Sequence, residues 1–275
     1  MDWLELFKVG ILAVFQGVAE FLPISSSGHL QVLQFLLGFA PESNIFLSVV
    51  LHAGTLLAIV VFYFLTLWEI LVKRQFKLIL AIIIGTIPAG LAGVGIKLSG
   101  LDDIIFTSLL VPAIGFLFTA FLLLYALKGR TEEEENSALP LAEIPLTKAL
   151  LIGIAQAVAI TPGISRSGST IAAGLKVNLK KADCARFSFL LAIPAIGGAM
   201  VLELKDLFSA PGDITSGDIM VWLFGFIIAA VVGYFSLKLL LGILQKGKLQ
   251  YFAWYLLGAS IFTFGLWVGS LVCRQ

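Results

Sequence analysis

Charged residues, histidine and cysteine are all scarce in this sequence. Only 13% of its 275 residues are Asp, Glu, Lys or Arg, and histidine and cysteine occur twice each. Cys184 and Cys273 lie far apart and form no metal-ligand spacing, so we interpret both as incidental. The net charge is only +1 and no basic patch is present, which argues against a nucleic-acid partner.

Apolar residues dominate instead, at 59% of the chain and with a mean hydropathy of +1.04. A soluble domain could not bury this much apolar surface, so we predict an all-α polytopic membrane protein. Six apolar segments approach the ~20 residues that a helix needs to cross the hydrocarbon core. They lie at about 45–68, 78–96, 104–127, 187–204, 219–244 and 250–272. We interpret them as six full spans, three in each half of the chain.

Each half begins with an apolar stretch that is interrupted by Pro, Gly and hydroxyl residues. The first interruption, LPISSSGH, lies within residues 4–39, and the second, TPGISRSGST, lies within residues 146–177. The apolar pieces on either side are too short for two separate spans. We therefore predict two re-entrant helical hairpins, whose irregular backbone must be buried in protein or line a cavity.

The two interruptions belong to an internal repeat. Gln16 to Gly28 (QGVAEFLPISSSG) and Gln156 to Gly168 (QAVAITPGISRSG) are 140 residues apart and identical at seven of thirteen positions. We divide the chain into a first repeat at 1–130, an acidic linker at 131–144 and a second repeat at 145–275. Since three spans per half is an odd number, the halves should insert in opposite orientations, as in inverted-repeat transporters.

The basic residues indicate the orientation of the chain. Of eighteen Lys and Arg residues, twelve fall on one side if each hairpin returns to its starting face. They are Lys73, Arg74, Lys77, Lys128, Arg130, Lys148, Lys176, Lys180, Lys181, Arg186, Lys246 and Lys248. This side should be cytoplasmic, which places the start of the first hairpin outside.

The first interruption carries an acid, three hydroxyls and an imidazole. Glu20 could act as a general base, a proton relay or a metal ligand, or it could be a neutral carboxyl hydrogen-bonded to its loop. Gln16 is four residues earlier on the same helix face and can only hydrogen-bond. Ser25, Ser26 and Ser27 begin a short helix, where they could bind an anion or simply cap the helix.

His29 follows directly, where it could be structural or could serve proton transfer or nucleophilic attack. Arg166 is the prominent residue of the second interruption, between Ser165 and Ser167. Its planar guanidinium suits phosphate oxygens, or it could pair with Glu20 in the empty state. Thr170 could add a further donor. These residues make a plausible phosphate-handling site, but binding, transport and hydrolysis stay open.

Other polar and small residues of the apolar segments receive structural roles. We assign packing or hydrogen bonding to His52, rather than catalysis. We expect close helix contacts at Gly54, Gly85, Gly90, Gly93, Gly197 and Gly198.

The sequences QGVAEFLPISSSGHL (Gln16 to Leu30) and PGISRSGST (Pro162 to Thr170) resemble the two signature motifs of the bacterial undecaprenyl-diphosphatase family, also called bacitracin-resistance proteins. LHAGTLLA at 51–58 and ARFSFLLAIP at 185–194 are similar to further family segments. The resemblance covers essentially the whole chain. The first motif of the family has Glu or Gln, then three residues, then Glu, and this chain has Gln16 at the variable position.

The resemblance implies hydrolysis of undecaprenyl diphosphate to undecaprenyl phosphate and inorganic phosphate, which recycles the lipid carrier of cell-wall (peptidoglycan) precursors. It implies a bacterial plasma membrane location, a site open to the extracytoplasmic side and a divalent cation, Mg²⁺ or Ca²⁺, with Glu20 as a candidate ligand. No organic cofactor is expected, and a homodimer is compatible with the family.

The catalytic residues by this resemblance are Glu20, Ser26, His29 and Arg166, and the substrate-binding residues are Gln16, Ser25, Ser27, Ser165, Ser167 and Thr170. Our hypothesis is that Ser26 attacks the terminal phosphorus while Glu20 or His29 takes its proton. Alternatively, His29 is the nucleophile or the acid for the leaving group. The sequence does not choose between them.

A second function of another class is a flippase or transporter for a lipid phosphate or another anion, because inverted repeats with broken helices are typical of transporters. Glu20 would then bind a coupling proton and Arg166 the anion. The two interruptions differ, however, with Ile160 and Ser169 in the second where Glu20 and His29 stand in the first. This asymmetry favours one-sided chemistry over alternating access.

Overall fold

The computed structural model describes residues 3–39, 44–127, 135–209 and 216–272. Within them the chain is helical, as predicted. The helices are α1 (Trp3–Ala19), α2 (Ser26–Leu37), α3 (Asn44–Phe62), α4 (Phe64–Val72), α5 (Phe76–Ser99), α6 (Asp102–Thr107), α7 (Leu110–Leu127), α8 (Leu146–Val158), α9 (Arg166–Lys176), α10 (Lys181–Ser209), α11 (Ser216–Gln245) and α12 (Gln250–Val272). Of the residues named above, Lys128, Arg130, 131–134 and Cys273 lie outside the described ranges.

Both predicted interruptions are confirmed as breaks between two packed helices. The first lies between α1 and α2, and the second between α8 and α9. The residue before each short helix accepts a hydrogen bond through its side chain, Ser25 from the N–H of Gly28 and Ser165 from the N–H of Gly168. With 12 and 11 residues, α2 and α9 would extend only ~15–18 Å, about half of the hydrocarbon core.

Four of the described helices are long and apolar enough to cross a membrane without a sharp bend. They are Phe76–Ser99, Lys181–Leu204, Gly217–Gln245 and Gln250–Val272. They correspond to four of the six predicted spans, so a multi-pass membrane protein is confirmed.

The predicted span at 45–68 is not one straight helix. The helix bends by 63° at Tyr63, between α3 and α4. Tyr63 at the bend and Ile70 in α4 are both buried in the largest apolar cluster, where the Tyr63 ring lies 6.1 Å from that of Phe189. Packing against α10 therefore accompanies the bend, and a hydropathy pattern does not contain that information.

The predicted span at 104–127 is likewise not one continuous helix, because α6 ends at Thr107 and α7 begins at Leu110. Pro112 lies in the first turn of α7 and has no N–H to donate to the carbonyl of Ser108. Its ring would also clash with that carbonyl in a continuous helix. Ser108 accordingly has an extended backbone, with ψ of 123°, and its carbonyl accepts a hydrogen bond from Gln31.

Helices of one half of the chain pack against helices of the other half. α1 packs against α11, and its counterpart α8 packs against α5, the counterpart of α11. α7 packs against its own counterpart α12, and α3 against α10. This reciprocal pattern is compatible with two related halves, while their opposite insertion stays a prediction.

The last part of the predicted linker packs against the second half. Leu141 and Ile144 are buried, and the N–H of Leu141 donates to the carboxylate of Asp183 at 2.9 Å. Leu139 forms a parallel bridge with Leu179. Residues 138–144 therefore belong to the folded body rather than to a solvated connection.

Of the glycines predicted to make close helix contacts, some do so and others face open space. A Cβ added at Gly54 or Gly85 would meet atoms of a neighbouring helix closer than 3 Å, as predicted. Gly90, Gly197 and Gly198 have no described atom within 4 Å of such a Cβ, and Gly93 has only an ordinary contact, so the prediction is wrong there. These four face away from the described helices because spacing alone does not reveal which side of an apolar helix is covered.

The contact between α5 and α8 gives a test of the fold. A Cβ at Gly153 would lie within 3 Å of backbone atoms of Gly85, which cannot move aside as a flexible side chain could. We expect Gly153→Ala to lower the free energy of unfolding by about 1–3 kcal/mol. The measurement is thermal unfolding of the purified protein in detergent. Gly90→Ala is the matched control, because a Cβ at this position of α5 meets no described atom within 4 Å, and it should be neutral or stabilising. Equal effects of the two substitutions on thermal unfolding would contradict this packing.

Candidate active site

The two interruptions meet in the interior of the molecule. The hydroxyl oxygen of Ser25 accepts a hydrogen bond from the N–H of Gly163 at 3.1 Å. In the reverse direction, the hydroxyl of Ser167 donates to the carbonyl of Leu22 at 3.2 Å. A Cβ at Gly28 would lie within 3 Å of the Gly163 backbone, so only glycine permits this approach. Residues that are 140 positions apart in the sequence thereby form one site.

An ion pair joins the two loops. Nη2 of Arg166 donates to Oε1 of Glu20 at 2.5 Å, and both side chains are largely buried. The sequence left open whether Arg166 pairs with Glu20 or binds a phosphate, and in the structure the pair is formed. Each charge neutralises the other in surroundings where an isolated charge would be costly.

The other carboxylate oxygen of Glu20 faces Ser26. The Ser26 hydroxyl donates to Oε2 at 2.6 Å, and the side-chain amide of Gln16 donates to the same oxygen at 3.2 Å. A hydroxyl that donates to a carboxylate within hydrogen-bond distance has the geometry of a nucleophile with its general base. Gln16 is fully buried, and the hydrogen bond from its amide orients the Glu20 carboxylate.

Ser26 and Arg166 occupy equivalent positions of the repeat, since they too are 140 residues apart. Each is the first residue of its short helix, α2 or α9. The first backbone N–H groups of a helix have no partner within the helix and carry partial positive charge. A small cleft between the two helix starts is lined by Ala19, Glu20, Ser25, Ser26, Ser27, Ala159, Ile164, Ser165 and Arg166.

Hydrogen bonds other than the one to Glu20 also hold Arg166 in place. Nη1 donates to the carbonyl of Ser188 on α10 at 3.4 Å. The Thr170 hydroxyl donates to the carbonyl of Arg166 at 2.8 Å and shares a 2.6 Å hydrogen bond with the Ser188 hydroxyl. Ser188 therefore holds Arg166 from both ends, through its carbonyl and through Thr170.

The remaining residues predicted to bind substrate take two kinds of position. Ser25, Ser27 and Ser165 line the cleft, as the prediction requires. Ser167 and Thr170 are buried behind the cleft lining and direct their hydroxyls to protein groups. The latter two support the loop that carries Arg166.

His29 lies apart from the Glu20–Ser26–Arg166 group. Its Nδ1 is 2.8 Å from the carbonyl of Ser25 and its Nε2 is 2.7 Å from the hydroxyl of Tyr255 on α12. The rings of Phe15, Phe116 and Tyr255 surround the imidazole. No hydrogen bond joins His29 to the ion pair or to Ser26 in the described part of the chain. The structure thus groups three of the four predicted catalytic residues.

Sequence reasoning missed several residues of the site. His52 approaches Glu20, with Nε2 at 3.8 Å from Oε2, and its Nδ1 is 2.8 Å from the carbonyl of Ser48. Its position in LHAGTLLA was a usable signal, as was that of Ser188 in ARFSFLLAIP. Thr119 on α7 accepts from the N–H of Ser165 and donates to the carbonyl of Gly163, both at 3.0 Å. Nothing local in the sequence marks Thr119.

The donors available for a metal ion are few. Within the described ranges, no three His, Cys, Asp or Glu side chains gather closely enough to hold one. Glu20 offers one carboxylate, and Oε1 of Gln16 is buried with no hydrogen-bond partner among the described residues. Mg²⁺ is commonly held by one or two carboxylates together with substrate phosphates, so these two residues fit a cation that arrives with a phosphorylated substrate.

The chain is similar to known proteins along nearly its whole length. Residues 9–262 match the family described as bacitracin resistance protein BacA. The undecaprenyl-diphosphatase of Halothermothrix orenii is 42% identical over 259 residues, which cover 92% of this chain and 94% of that protein. The undecaprenyl-diphosphatase of Methanobrevibacter smithii is 37% identical over 281 residues, 95% of this chain and 97% of that protein.

The undecaprenyl-diphosphatase of Rhodopirellula baltica is 42% identical over 259 residues, 94% of this chain and 96% of that protein. The family expected from the two loop motifs is therefore confirmed. Both motifs lie within the matched residues, and the structure brings them into contact. This chain belongs to the bacitracin resistance protein BacA family.

Proposed function

We propose that this chain hydrolyses undecaprenyl diphosphate to undecaprenyl phosphate and inorganic phosphate, which recycles the lipid carrier of cell-wall precursors. The observation that carries the proposal is the joint contact of Ser26 and Arg166 with the Glu20 carboxylate. This contact combines a nucleophile, a base and an anion-binding group within a membrane protein. The relatives named above carry the same activity in their names.

Binding of the diphosphate group uses the positive charge at the junction of the loops. Arg166 has a planar set of donors that matches phosphate oxygens. The free N–H groups at the starts of α2 and α9 add partial positive charge from both loops. Because the substrate is an anion, it competes with Glu20 for Arg166, so binding loosens the ion pair and frees the carboxylate.

In the first chemical step, Oγ of Ser26 attacks the terminal phosphorus and its proton passes to Oε2 of Glu20. The Ser26–phosphorus bond forms as the bond to the bridging oxygen breaks, and undecaprenyl phosphate leaves with the bonding electrons. Arg166 stabilises the charge on the transferred phosphoryl group. In the second step water attacks the phosphorus bound to Ser26 and the bond between phosphorus and Oγ breaks. Oγ takes back the proton from Glu20, and inorganic phosphate leaves with the protons of the water.

The surroundings of His29 support Ser26 rather than His29 as the nucleophile. A carbonyl can only accept, so Nδ1 of His29 must carry a hydrogen for its bond to the Ser25 carbonyl. In a neutral ring, Nε2 is then the nitrogen with the free lone pair, and it accepts from the Tyr255 hydroxyl. Neither nitrogen is left to attack phosphorus.

A divalent cation bound by Glu20 and Gln16 together with the substrate would supply additional positive charge against the phosphate oxygens. The chain's own residues orient the reacting groups whether or not they share the carboxylate with such an ion. Gln16 is the uncharged variant of the family motif, which leaves Glu20 as the single carboxylate at this position.

The protein is a multi-pass membrane protein, and we place it in the bacterial plasma membrane with the cleft open to the extracytoplasmic side. The excess of basic residues on the opposite side supports this orientation. An inverted repeat and a homodimer are parts of the same proposal. The alternative function, transport of a lipid phosphate or another anion, gains no support from the relatives or from the one-sided placement of Glu20.

The first test concerns the nucleophile and its base. We expect Ser26→Ala to abolish phosphate release from undecaprenyl diphosphate, and Glu20→Gln to lower kcat by about 10²–10⁴-fold, because the attacking hydroxyl loses its base. The measurement is steady-state phosphate release by purified protein in detergent. Ser236→Ala is the matched control, since it removes a largely buried hydroxyl that bonds only a carbonyl of its own helix.

Near-normal activity of Ser26→Ala would exclude the serine mechanism. Near-normal activity of Glu20→Gln would exclude the carboxylate as its base. Both conclusions require that each variant unfold at about the temperature of the wild-type protein.

The second test separates the stabilising role of Arg166 from its catalytic role. Arg166→Gln leaves Glu20 as an unpaired buried charge and should cost about 3–5 kcal/mol of stability. The double variant Glu20→Gln/Arg166→Gln removes both charges and should recover most of this loss in thermal unfolding.

Activity should not recover in the double variant, while Arg166→Lys should keep the charge but lose the bidentate geometry and most of the rate. A double variant no more stable than Arg166→Gln would show that the ion pair is not what holds the loops. Wild-type turnover in Arg166→Gln would show that Arg166 does not stabilise the transferred phosphoryl group.

A further inference from the structure

We propose that Tyr255 is a positioning residue for the attacking serine. Its hydroxyl orients the His29 ring and stabilises the tautomer with hydrogen on Nδ1, and His29 in turn holds the strained backbone of Ser25, the residue directly before Ser26. This role rests on the proposed function, with Ser26 as the attacking group. It gives His29 a role that requires no contact with the substrate.

The backbone of Ser25 is in a conformation that a serine rarely adopts. Its φ is 70° and its ψ is 100°, which lies outside the small left-handed helical region. A residue held in such a region is strained and keeps the conformation only when its surroundings impose it. This strain lies at the residue that directs the chain into α2 and so sets the direction of the Ser26 side chain.

Both polar groups of Ser25 are held by specific partners. The hydroxyl oxygen accepts from the N–H of Gly163 at 3.1 Å and from that of Gly28 at 3.4 Å. The carbonyl oxygen accepts from Nδ1 of His29 at 2.8 Å and from the backbone N–H of His29 at 3.3 Å. The imidazole therefore provides the shortest of the hydrogen bonds that hold the strained residue.

Tyr255 satisfies the other nitrogen of the tautomer that makes this hydrogen bond. With hydrogen on Nδ1, Nε2 of the neutral ring is an acceptor, and the Tyr255 hydroxyl is its donor at 2.7 Å. The alternative tautomer would carry hydrogen on Nε2 and turn a bare Nδ1 towards the Ser25 carbonyl, which also only accepts. The Ser25 carbonyl thus requires hydrogen on Nδ1, and the Tyr255 hydroxyl, which can donate or accept, stabilises that form and orients the ring by donating to Nε2.

Aromatic packing keeps the imidazole in this orientation. The ring of Tyr255 lies nearly parallel to that of His29, at 12° and with centroids 5.6 Å apart, and the ring of Phe116 is 4.7 Å away. His29 itself is only 7% exposed. No charged side chain is among its described ring or hydrogen-bond partners, so the imidazole acts as a fixed hydrogen-bonding group.

Loss of the Tyr255 hydroxyl should therefore act on catalysis more than on binding. We expect Tyr255→Phe to lower kcat about tenfold with little change in KM, because the serine is misdirected while Arg166 and the helix starts still bind the diphosphate. Tyr251→Phe is the matched control. It removes a hydroxyl one turn earlier on α12 from a tyrosine that is 59% exposed, and it should leave both constants unchanged.

A spectroscopic readout tests the tautomer directly. The chain has only two histidines, so ¹⁵N labelling of histidine gives two imidazole signals, and a His52→Gln variant identifies which one belongs to His29. We expect the spectrum of His29 to show hydrogen on Nδ1 and a hydrogen-bonded acceptor at Nε2. In Tyr255→Phe the Nε2 resonance should move towards that of a free acceptor or of the other tautomer.

Two substitutions at His29 distinguish a positioning role from a chemical role and from loss of folding. The side-chain amide of His29→Asn can place an N–H near the position of Nδ1 and should retain part of the kcat, whereas His29→Leu should lose it. If His29 were instead an acid, a base or a nucleophile, asparagine would be as inactive as leucine. Equal inactivity of His29→Asn and His29→Leu in folded proteins, or a His29 spectrum with hydrogen on Nε2, would overturn the proposal.

Different results would refute the proposed function and the positioning role of Tyr255. Absence of phosphate release from folded wild-type protein would refute the proposed function. Wild-type kcat in Tyr255→Phe, in an active enzyme, would refute the positioning role of Tyr255 and leave the function intact.

Discussion

One buried ion pair, between Glu20 and Arg166, is the interaction on which the site depends. Each residue alone would leave an uncompensated charge in the interior of a membrane protein, where such charges are expensive. The pair therefore requires the two interrupted helices to meet, although they are 140 residues apart. In the proposed mechanism the pair also admits an anionic substrate, because a diphosphate replaces Glu20 as the partner of Arg166.

The interrupted helices supply what continuous spans could not. A helix that crosses the membrane hides its N–H groups in internal hydrogen bonds, whereas α2 and α9 begin inside the protein and present theirs to the cleft. Because Ser26 and Arg166 are the first residues of these helices, the repeat places a nucleophile and a cation at equivalent points. The hydrogen bond from the N–H of Gly163 to Ser25, and the backbone contact between Gly28 and Gly163, hold the two starts together.

The sequence was sufficient for features carried by local pattern. Hydropathy predicted the membrane helices, Pro and Ser predicted the breaks, and the expense of buried charge suggested that Arg166 pairs with Glu20. The bend at Tyr63 was not predictable, since it accompanies packing against α10. Pro112 could have revealed the break before α7, but a hydropathy window averages over it. Tyr255 could not be linked to His29 because 226 residues separate them and only the fold brings them together.

The central claim is that hydrolysis passes through Ser26. The most direct measurement is a single-turnover rapid-quench experiment on the purified wild-type protein, with undecaprenyl diphosphate labelled at its terminal phosphorus. The account predicts that the label leaves the lipid, appears on the protein at Ser26 and then appears as inorganic phosphate. Transfer of the label straight to inorganic phosphate, with no protein-bound label at any time during normal turnover, would contradict it.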